Sequence, residues 1–205
     1  MDPNTFPTKG NLILAKNSLA LSKQGYELMD KKRNILIREL MELIEQATDI
    51  QKEINITFTS AYQALQKANI QMGIHEVETL SLSVPIENSI TIKRRSVMGT
   101  EIPKVEYKEQ ELKPSYSFYG TKMSLDETCE KFRRVKELTI RLAQIETSAY
   151  RLAYNIKKTQ KRANALQNIT IPKYEMLTRE IENALEEKER EEFTRLKVIK
   201  KVKYL

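Results

Sequence analysis

A heptad pattern in the second half of the chain constrains the fold most. From Leu138 to Leu166, apolar or small residues recur in alternating steps of four and three, which is the spacing of a left-handed coiled coil. Neither glycine nor proline interrupts residues 121–171. Because a helix of this length cannot bury its own apolar stripe, the pattern predicts a partner helix of similar length. The members of this seam are Leu138, Leu142, Ile145, Ala149, Leu152, Ile156, Thr159, Ala163 and Leu166.

A helical pattern near the N-terminal end of the chain supplies this partner. It predicts a helix over residues 12–72, with Thr8 as the N-cap and Gly73 as the C-cap. If Met72 faces the region of Leu125 across the intervening segment, the two helices are antiparallel and the numbers of facing residues sum to about 197. Its seam consists of Leu36, Leu40, Leu43, Ala47, Ile50, Ile54, Phe58, Ala61, Leu65, Ala68 and Met72.

The segment between the two helices contains the signals of a β-hairpin. Residues 89–93 and 105–107 alternate between apolar and polar side chains, as half-buried strands do, and Met98 and Gly99 lie between them as the turn. Pro103 restricts the second strand to a sheet edge or a bulge. The base of the hairpin is expected to pack against the helices through three aromatic residues: Tyr116, Phe118 and Tyr119.

The C-terminal helix has a start signal and an internal proline. Ser124 and Glu127 match a capping box, which predicts that this helix begins near Leu125. Pro172 lies inside the helical pattern, and apolar residues resume the pattern beyond it. Pro172 is therefore expected to kink the helix near Ile171 rather than to end it.

Together these patterns predict a mostly α fold. Its main element is a long two-helix antiparallel coiled coil formed by the N- and C-terminal segments, with a small β-hairpin insertion between them. The predicted divisions are an N-terminal coiled-coil helix (1–73), a β-hairpin and loop region (74–120) and a C-terminal coiled-coil helix (121–205). The register places Thr8 opposite residue 189 and Gly25 opposite Pro172. Gly25 is then either a point of close approach to the kinked helix or an exposed, tolerated glycine.

Composition limits the compartment and the class of partner. The chain of 205 residues has a formal net charge of +7, which permits an acidic partner, nucleic acid or an anionic membrane. Its basic clusters alternate with acidic runs and include few aromatic residues, which disfavours nucleic acid. The longest apolar run, residues 12–15, is too short to span a bilayer, and the first ten residues lack the apolar core of a signal peptide. With one cysteine, the chain is expected to be cytoplasmic, without direct membrane insertion.

The sequence contains few residues that suit catalysis. His75 is the single histidine and Cys129 the single cysteine, so a zinc site or a histidine-based triad lacks partners. Cys129 lies on the seam and is interpreted as a small core residue. There is no P-loop motif and no dinucleotide-binding glycine motif. We therefore expect no catalytic residue, no cofactor-binding residue and no metal ligand.

Four stretches of the sequence resemble the D subunit of the V/A-type rotary ATPases. Residues 7–33 begin with Pro-Thr-Lys and continue with spaced leucines and lysines, and residues 97–103 read Val-Met-Gly followed by Ile-Pro. Residues 158–172 contain Lys-Thr-Gln-Lys-Arg-Ala-Asn-Ala-Leu and a later Ile-Pro, and residues 187–197 continue the match. Lys161 and Ala163 replace the arginine and valine of the family pattern. The chain length is similar to that of the bacterial and archaeal branch.

This resemblance implies a central-stalk subunit, the rotor shaft of a motor. Such a shaft couples ATP hydrolysis or synthesis in a hexamer of catalytic and non-catalytic subunits to ion translocation by a membrane ring. The small F subunit would dock on its side, and an adaptor subunit would join its hairpin end to the ring. The shaft itself would be non-catalytic and peripheral to the membrane. The alternatives are a prefoldin-like coiled-coil chaperone and a basic coiled-coil protein that binds nucleic acid.

The C-terminal tail is the predicted contact with the hexamer. By the expected register, residues beyond Arg190 have no partner helix within the chain, although apolar and basic residues alternate there. The tail is expected to fray in the free protein and to become ordered in the hexamer. The predicted hexamer-facing residues are Lys161, Arg162, Arg195, Leu196, Lys197, Lys200, Lys201 and Lys203, and the predicted hairpin turn is Met98 and Gly99.

Overall fold

The computed structural model describes residues 6–84, 88–107 and 116–203. The predicted fold class is confirmed: two long helical segments flank a small antiparallel sheet. The elements in chain order are α1 (Lys9–Met72), α2 (Ile74–Ser81), β1 (Ile90–Val97), β2 (Thr100–Tyr107), α3 (Met123–Ala165), a π turn (Leu166–Thr170) and α4 (Ile171–Lys203). The three-part division of the chain made from the sequence stays a prediction.

Both predicted caps of α1 are confirmed, although the helix begins at Lys9 rather than at the predicted Leu12. The Thr8 side chain accepts a hydrogen bond from the Asn11 N–H at 3.2 Å, as an N-cap does. At the other end, the Gly73 N–H donates to the Asn69 carbonyl at 2.9 Å, and Gly73 has a φ of 92°. Glycine adopts this positive φ without steric cost. The short helix α2 follows Gly73 directly and was not predicted, because its eight residues are too few to show a periodic pattern.

The predicted hairpin is confirmed and is longer than expected. β1 and β2 pair from Ile90↔Tyr107 to Val97↔Thr100. Met98 and Gly99 connect them with φ values of 48° and 75°, as a two-residue type I′ turn requires. The Val105 N–H donates to the Gln144 side chain and so points away from β1. Pro103 lies two residues earlier on the same edge, where a ladder donor is not needed.

Both predicted seams are buried or half-buried at every position. Leu36 on α1 and Leu138 and Leu152 on α3 are among the largest fully buried side chains. Cys129, which precedes the strict heptads, is half-buried and not part of a disulfide. Burial of these stripes supplies most of the stabilisation of each helix, because isolated helices gain little from propensity alone.

The chain divides into two compact units. The first comprises Met1–Asn34 and Ile156–Leu205, and the second comprises Ile35–Asn155. In the first unit, three lysines of α1 spaced seven residues apart pair with three glutamates of α4 that have the same spacing. We name these pairs the ion-pair ladder: Lys9–Glu189 (3.3 Å), Lys16–Glu182 (2.7 Å) and Lys23–Glu175 (2.8 Å).

The ion-pair ladder establishes an antiparallel register in the first unit. Positions along α1 rise as positions along α4 fall, in heptad steps. The Lys9–Glu189 pair confirms the prediction that Thr8 lies opposite residue 189. Exposed ion pairs contribute only about 0.2–1 kcal/mol each. The ladder therefore specifies register, while buried residues such as Thr178 and Ile181 supply the stability.

In the second unit, α1 and α3 are also antiparallel. The rings of Tyr62 and Phe132 meet edge to face with centroids 5.6 Å apart, and Arg134 pairs with Glu53 at 2.8 Å. Nearer the end of α1, the Lys122 ammonium donates to the Gln71 carbonyl at 2.9 Å. This carbonyl belongs to the last turn of α1, where no intrahelical donor remains, and a cation there is favourable.

The predicted capping box is wrong. α3 begins at Met123, and the Ser124 hydroxyl donates to the Gln71 side chain at 2.8 Å instead of capping the helix. Glu127 pairs with Lys131, one turn later on the same helix, at 2.6 Å. Both partners of the expected box are therefore engaged elsewhere. Ser124 therefore bonds to a side chain of α1 instead of to the backbone at the start of its own helix.

The expected aromatic packing at the hairpin base is also wrong. Phe118 and Tyr119 are exposed. Tyr116 is half-buried, but its hydroxyl bonds to Asp126 of α3. The hairpin is instead attached to α1 and α3 by polar contacts that are described below.

The helix continues through Pro172, as predicted, but with a π turn before it. The Ile171 N–H donates to the Leu166 carbonyl, five residues back. Proline has no N–H, and its ring clashes with the carbonyl four residues earlier in a regular helix. The wider π turn admits one extra residue just before Pro172 and so relieves this conflict.

Of the two interpretations of Gly25, the close approach to the kinked helix is wrong. A Cβ at Gly25 would meet one atom within 4 Å, the Leu166 Cδ1 at 3.7 Å, which is an ordinary van der Waals distance. Leu166, not Pro172, is thus its nearest neighbour on the other helix. No steric reason for a glycine exists here.

We therefore expect Gly25→Ala to raise the free energy of unfolding by about 1 kcal/mol, because alanine is the better helix former. Urea denaturation followed by circular dichroism measures this change. Gly10→Ala is the matched control, since Gly10 also has open space around it but lies in the first turn of α1, where a gain in propensity counts less. A lower midpoint for Gly25→Ala than for the unmodified chain would contradict the open packing.

Candidate interaction surfaces

The described part of the chain has few features of a chemical site. His75 is exposed on α2. Residues 6–84, 88–107 and 116–203 contain no cluster of three or more histidine, cysteine, aspartate or glutamate side chains arranged to hold a metal ion. No helix in these ranges is long and apolar enough to cross a membrane.

The C-terminal tail, residues 191–203, is helical and exposed at every position. Its five apolar side chains, at positions 193, 196, 198, 199 and 202, are 57% to 70% exposed. Lys9–Glu189 is the last ion pair between α1 and α4, and α1 begins at Lys9. The exposure of these apolar groups to solvent is unfavourable. The tail therefore presents a surface suited to a partner.

The basic residues of the tail lie among these apolar side chains. Arg195 forms an ion pair with Glu191, one turn earlier, at 3.5 Å, an interaction of small energy. The tail thus combines apolar area with positive charge. The predicted partner-binding residues in the tail, all exposed, are Arg195, Leu196, Lys197, Lys200, Lys201 and Lys203.

Lys161 and Arg162 are exposed near the end of α3. They precede Arg195 by more than thirty residues of continuous helix, which corresponds to roughly 50 Å at 1.5 Å per residue. The structure therefore does not bring these two residues together with the tail. They form a separate patch of the first unit.

The hairpin is held by side chains that the sequence analysis missed. Gln144 of α3 accepts the Val105 N–H at 2.9 Å, and Arg151 donates to the Glu101 carbonyl at 3.2 Å. Arg95 of β1 pairs with Glu39 of α1 at 3.4 Å. Through these contacts β2 lies along α3 while β1 is exposed along nearly all its length. No local pattern identifies such anchors, because each joins distant parts of the chain.

An apolar end surface occurs where α1 ends and α3 begins. We give this name to four residues that are close in sequence to these two helix ends and are 71% to 97% exposed: Ile70, Ile74, Tyr119 and Met123. The contacts of Gln71 with Lys122 and Ser124 bring the neighbouring Ile70 and Met123 to the same end of the second unit. The sequence could have identified this surface, because these apolar residues lie outside the two predicted seams.

A polar cluster beside this end involves Tyr116. Its hydroxyl donates to Asp126 Oδ1 at 2.6 Å and lies 3.8 Å from Cys129 Sγ. Partial burial of the phenol and then its hydrogen bond to Asp126 raise the pKa of Tyr116 well above its usual value. Because the protonated phenol is favoured in the folded chain, this contribution to stability is present below the unfolded pKa of about 10. It is lost as the pH rises through the folded pKa.

Tyr116→Phe is expected to lower the free energy of unfolding near neutral pH by about 1 kcal/mol, the typical worth of one hydrogen bond. Denaturant unfolding between pH 8 and about pH 12 should show a steeper loss of stability for the unmodified chain than for this variant. Tyr119→Phe is the control, since Tyr119 is almost fully exposed. Identical pH profiles for the two variants would contradict the assignment.

Comparison with known proteins gives a consistent result. A family model described as the D subunit of ATP synthase matches residues 11–201. The D subunit of the V-type ATP synthase of Thermotoga neapolitana is 44% identical over 194 residues, which cover 95% of this chain and 96% of the relative. The D subunits of the A-type ATP synthases of Desulfurococcus sp. and Thermococcus kodakarensis are 34% and 35% identical over 200 residues, which cover 96% of this chain and 94% of each relative.

Proposed function

Because the chain belongs to the family of ATP synthase D subunits, we propose that it is the central-stalk subunit, or rotor shaft, of a V/A-type ATPase/ATP synthase. It would couple ATP hydrolysis or synthesis in the catalytic hexamer to ion translocation by the membrane ring. The observation that carries this proposal is the ion-pair ladder of the first unit. Two antiparallel helices held in heptad register resist sliding past each other, as a shaft that transmits torque must.

Asymmetry of the coiled coil also supports a shaft. The helix opposite α1 contains a π turn and a proline, whereas α1 is uninterrupted. A shaft inside three equivalent clefts must contact each one differently, and two unlike helices supply unlike faces. Each conformation of a cleft then binds one face best, so that rotation shifts which conformation is favoured.

We assign the hexamer contact to the C-terminal tail. Its exposed apolar side chains suit an apolar collar, and its basic residues suit carboxylates or backbone carbonyls in the surrounding loops. Lys161 and Arg162 would contact the hexamer at a second site, farther along the shaft from the tail. Ordering of the tail on assembly would remove its apolar groups from water.

We assign the other two partners to the second unit. The apolar end surface would bind the adaptor subunit of the membrane ring, since exposed apolar clusters mark sites of protein association. Tyr150 and Tyr154 are exposed one turn apart on α3 and would receive the small F subunit on the side of the shaft, because tyrosine is enriched in interfaces. The protein would thus be cytoplasmic and peripheral to the membrane through the complex.

The shaft itself would be non-catalytic. The sequence has no phosphate-binding loop, so the nucleotide would be bound by the hexamer. We expect the purified chain to show neither ATP hydrolysis nor ATP binding. Isothermal titration calorimetry with ATP and magnesium measures the affinity, and micromolar binding to the isolated chain would count against the proposal.

The positive test is assembly. The tagged chain, purified from its native cells, should bring down a nucleotide-binding hexamer whose ATPase activity depends on the chain. A chaperone of the prefoldin type would instead suppress the aggregation of an unfolded client protein. Suppression of aggregation without capture of a hexamer would overturn the shaft assignment.

A further inference from the structure

Two features that weaken a helix lie side by side in the first unit. One is Gly25, inside α1, and the other is the π turn Leu166–Thr170. They face each other, because the atom nearest to a Cβ at Gly25 would be Leu166 Cδ1, at 3.7 Å. Glycine adds backbone freedom to a helix, and π turns within α-helices occur frequently at functional sites.

The backbone hydrogen-bond pattern changes at the π turn between α3 and α4. The Ile171 N–H bonds to the Leu166 carbonyl five residues back. The Thr170 hydroxyl reaches the Ala165 carbonyl, also five residues back, at 3.4 Å. Pro172 contributes no N–H. The regular bonds from each N–H to the carbonyl four residues back, which resist bending elsewhere in an α-helix, are therefore interrupted here.

Burial is also low at this level. No residue of the π turn is buried, and its Ile169 is 66% exposed. Buried seam residues occur before the turn at Thr159 and Ala163, and after it at Thr178 and Ile181. The turn is thus a lightly packed interval between two well-packed ones. Such intervals open at lower free energy than their surroundings.

The π turn also absorbs one residue beyond the heptad spacing. From Leu166 the inward-facing positions advance in three steps of four, through Thr170 and Tyr174 to Thr178, before a step of three reaches Ile181. Heptad spacing, with alternating steps of four and three from Leu166, would have placed the third inward-facing position at 177 instead of 178. Removal of one residue within the turn should therefore preserve the phase of α4.

We propose that Gly25 and the π turn form a hinge that passes through both helices of the first unit. At this hinge, the segment with the ion-pair ladder bends relative to residues 26–34 and 156–165 while its seam stays closed. This mechanical property does not depend on the proposed function. Its use does: in a rotor shaft, the hinge would let the tail follow the surrounding subunits during rotation.

The test measures bending in the full chain with paired spin labels in a Cys129→Ser background. The hinge pair is Lys158→Cys with Arg179→Cys, which are exposed and flank the π turn. The control pair is Glu45→Cys with Gln66→Cys on uninterrupted α1. These two residues are also exposed and are separated by the same number of positions in the sequence as the hinge pair. We expect a broader distance distribution for the hinge pair. Equal widths would overturn the proposal.

A stiffened variant tests the cause of the bending. It combines Gly25→Ala with deletion of Asn168 and Pro172→Ala, so that a regular α turn can replace the π turn. The hinge-pair distribution should narrow to the width of the control pair. Deletion of Glu146, in the strict heptads of α3, is the matched control, because a deletion there rotates the rest of the seam away from its partner and should unfold the coil.

Gly25→Ala alone keeps the proposal testable if the deletion variant does not fold. Amide exchange of residues 22–28 should slow by about fivefold, the factor that corresponds to the difference in helix propensity. Unchanged exchange together with an unchanged hinge-pair width would overturn the hinge. If the chain bends as expected but does not assemble with a hexamer, the proposed function fails and the hinge stands.

Discussion

Deletion of residues 191–205 is expected to leave the coiled coil folded and to abolish assembly of the chain with the catalytic hexamer. The deleted residues lie beyond the last ion pair with α1, Lys9–Glu189, and those that the structure describes are exposed. Their removal therefore costs little of the buried seam. A loss of binding of a hundredfold or more is expected, because several apolar anchors contribute more than 1 kcal/mol each when buried in an interface.

Pull-down of the hexamer measures this binding, and circular dichroism verifies the fold. Replacing the five basic tail residues by glutamine should weaken binding less and remove its salt dependence, because the apolar anchors remain. Lys52→Gln with Lys67→Gln is the matched control, since both residues are exposed lysines far from the tail in sequence. Amide exchange gives an independent check: protection of residues 195–203 in the free chain equal to that around Leu152 would contradict a tail that awaits its partner.

Leu152→Ala is expected to lower the free energy of unfolding by about 3 kcal/mol, since truncation of a buried leucine costs the transfer free energy and leaves a cavity. Leu152 is 0% exposed in the seam of α3. Guanidinium denaturation of the full chain measures the effect. The thermal midpoint should fall as well.

Leu21→Ala is the control for this loss. Leu21 is 70% exposed on α1, and a substitution at such a position should change the free energy of unfolding by less than about 0.5 kcal/mol. Similar losses for Leu21→Ala and Leu152→Ala would show that the seam does not hold the helices together.

The long helices and their register were predictable from the sequence. The seam that includes Leu138 and Leu152 follows from heptad spacing, because side chains at steps of three and four share one helix face. Placing Met72, the end of α1, opposite the region of Leu125 across the hairpin then predicted the antiparallel register, which Lys9–Glu189 confirms. The hairpin turn was also predictable from the sequence at Met98 and Gly99, because a two-residue turn favours glycine in its backbone conformation.

The polar partners were not predictable. Ser124 has the spacing of a capping residue, yet its hydroxyl bonds to Gln71, more than fifty residues earlier. Gln144 and Arg151 anchor the hairpin from positions that no periodicity marks. A hydrogen bond needs two atoms within about 3 Å, and only the folded chain determines which distant atoms come that close.

The sequence by itself therefore determined the long helices, their seams, the hairpin turn and the family, because each depends on spacing or on an ordered set of residues along the chain. The tertiary structure decided the start of α3, the exposure of Phe118 and Tyr119, the attachment of the hairpin and the π turn beside Gly25. Pro172 predicted an irregularity in the helix, but the sequence did not distinguish a kink in the α-helix from a wider π turn. Since the π turn absorbs the extra residue and so keeps Thr178 and Ile181 buried on the seam, packing against the partner helix selected the π turn.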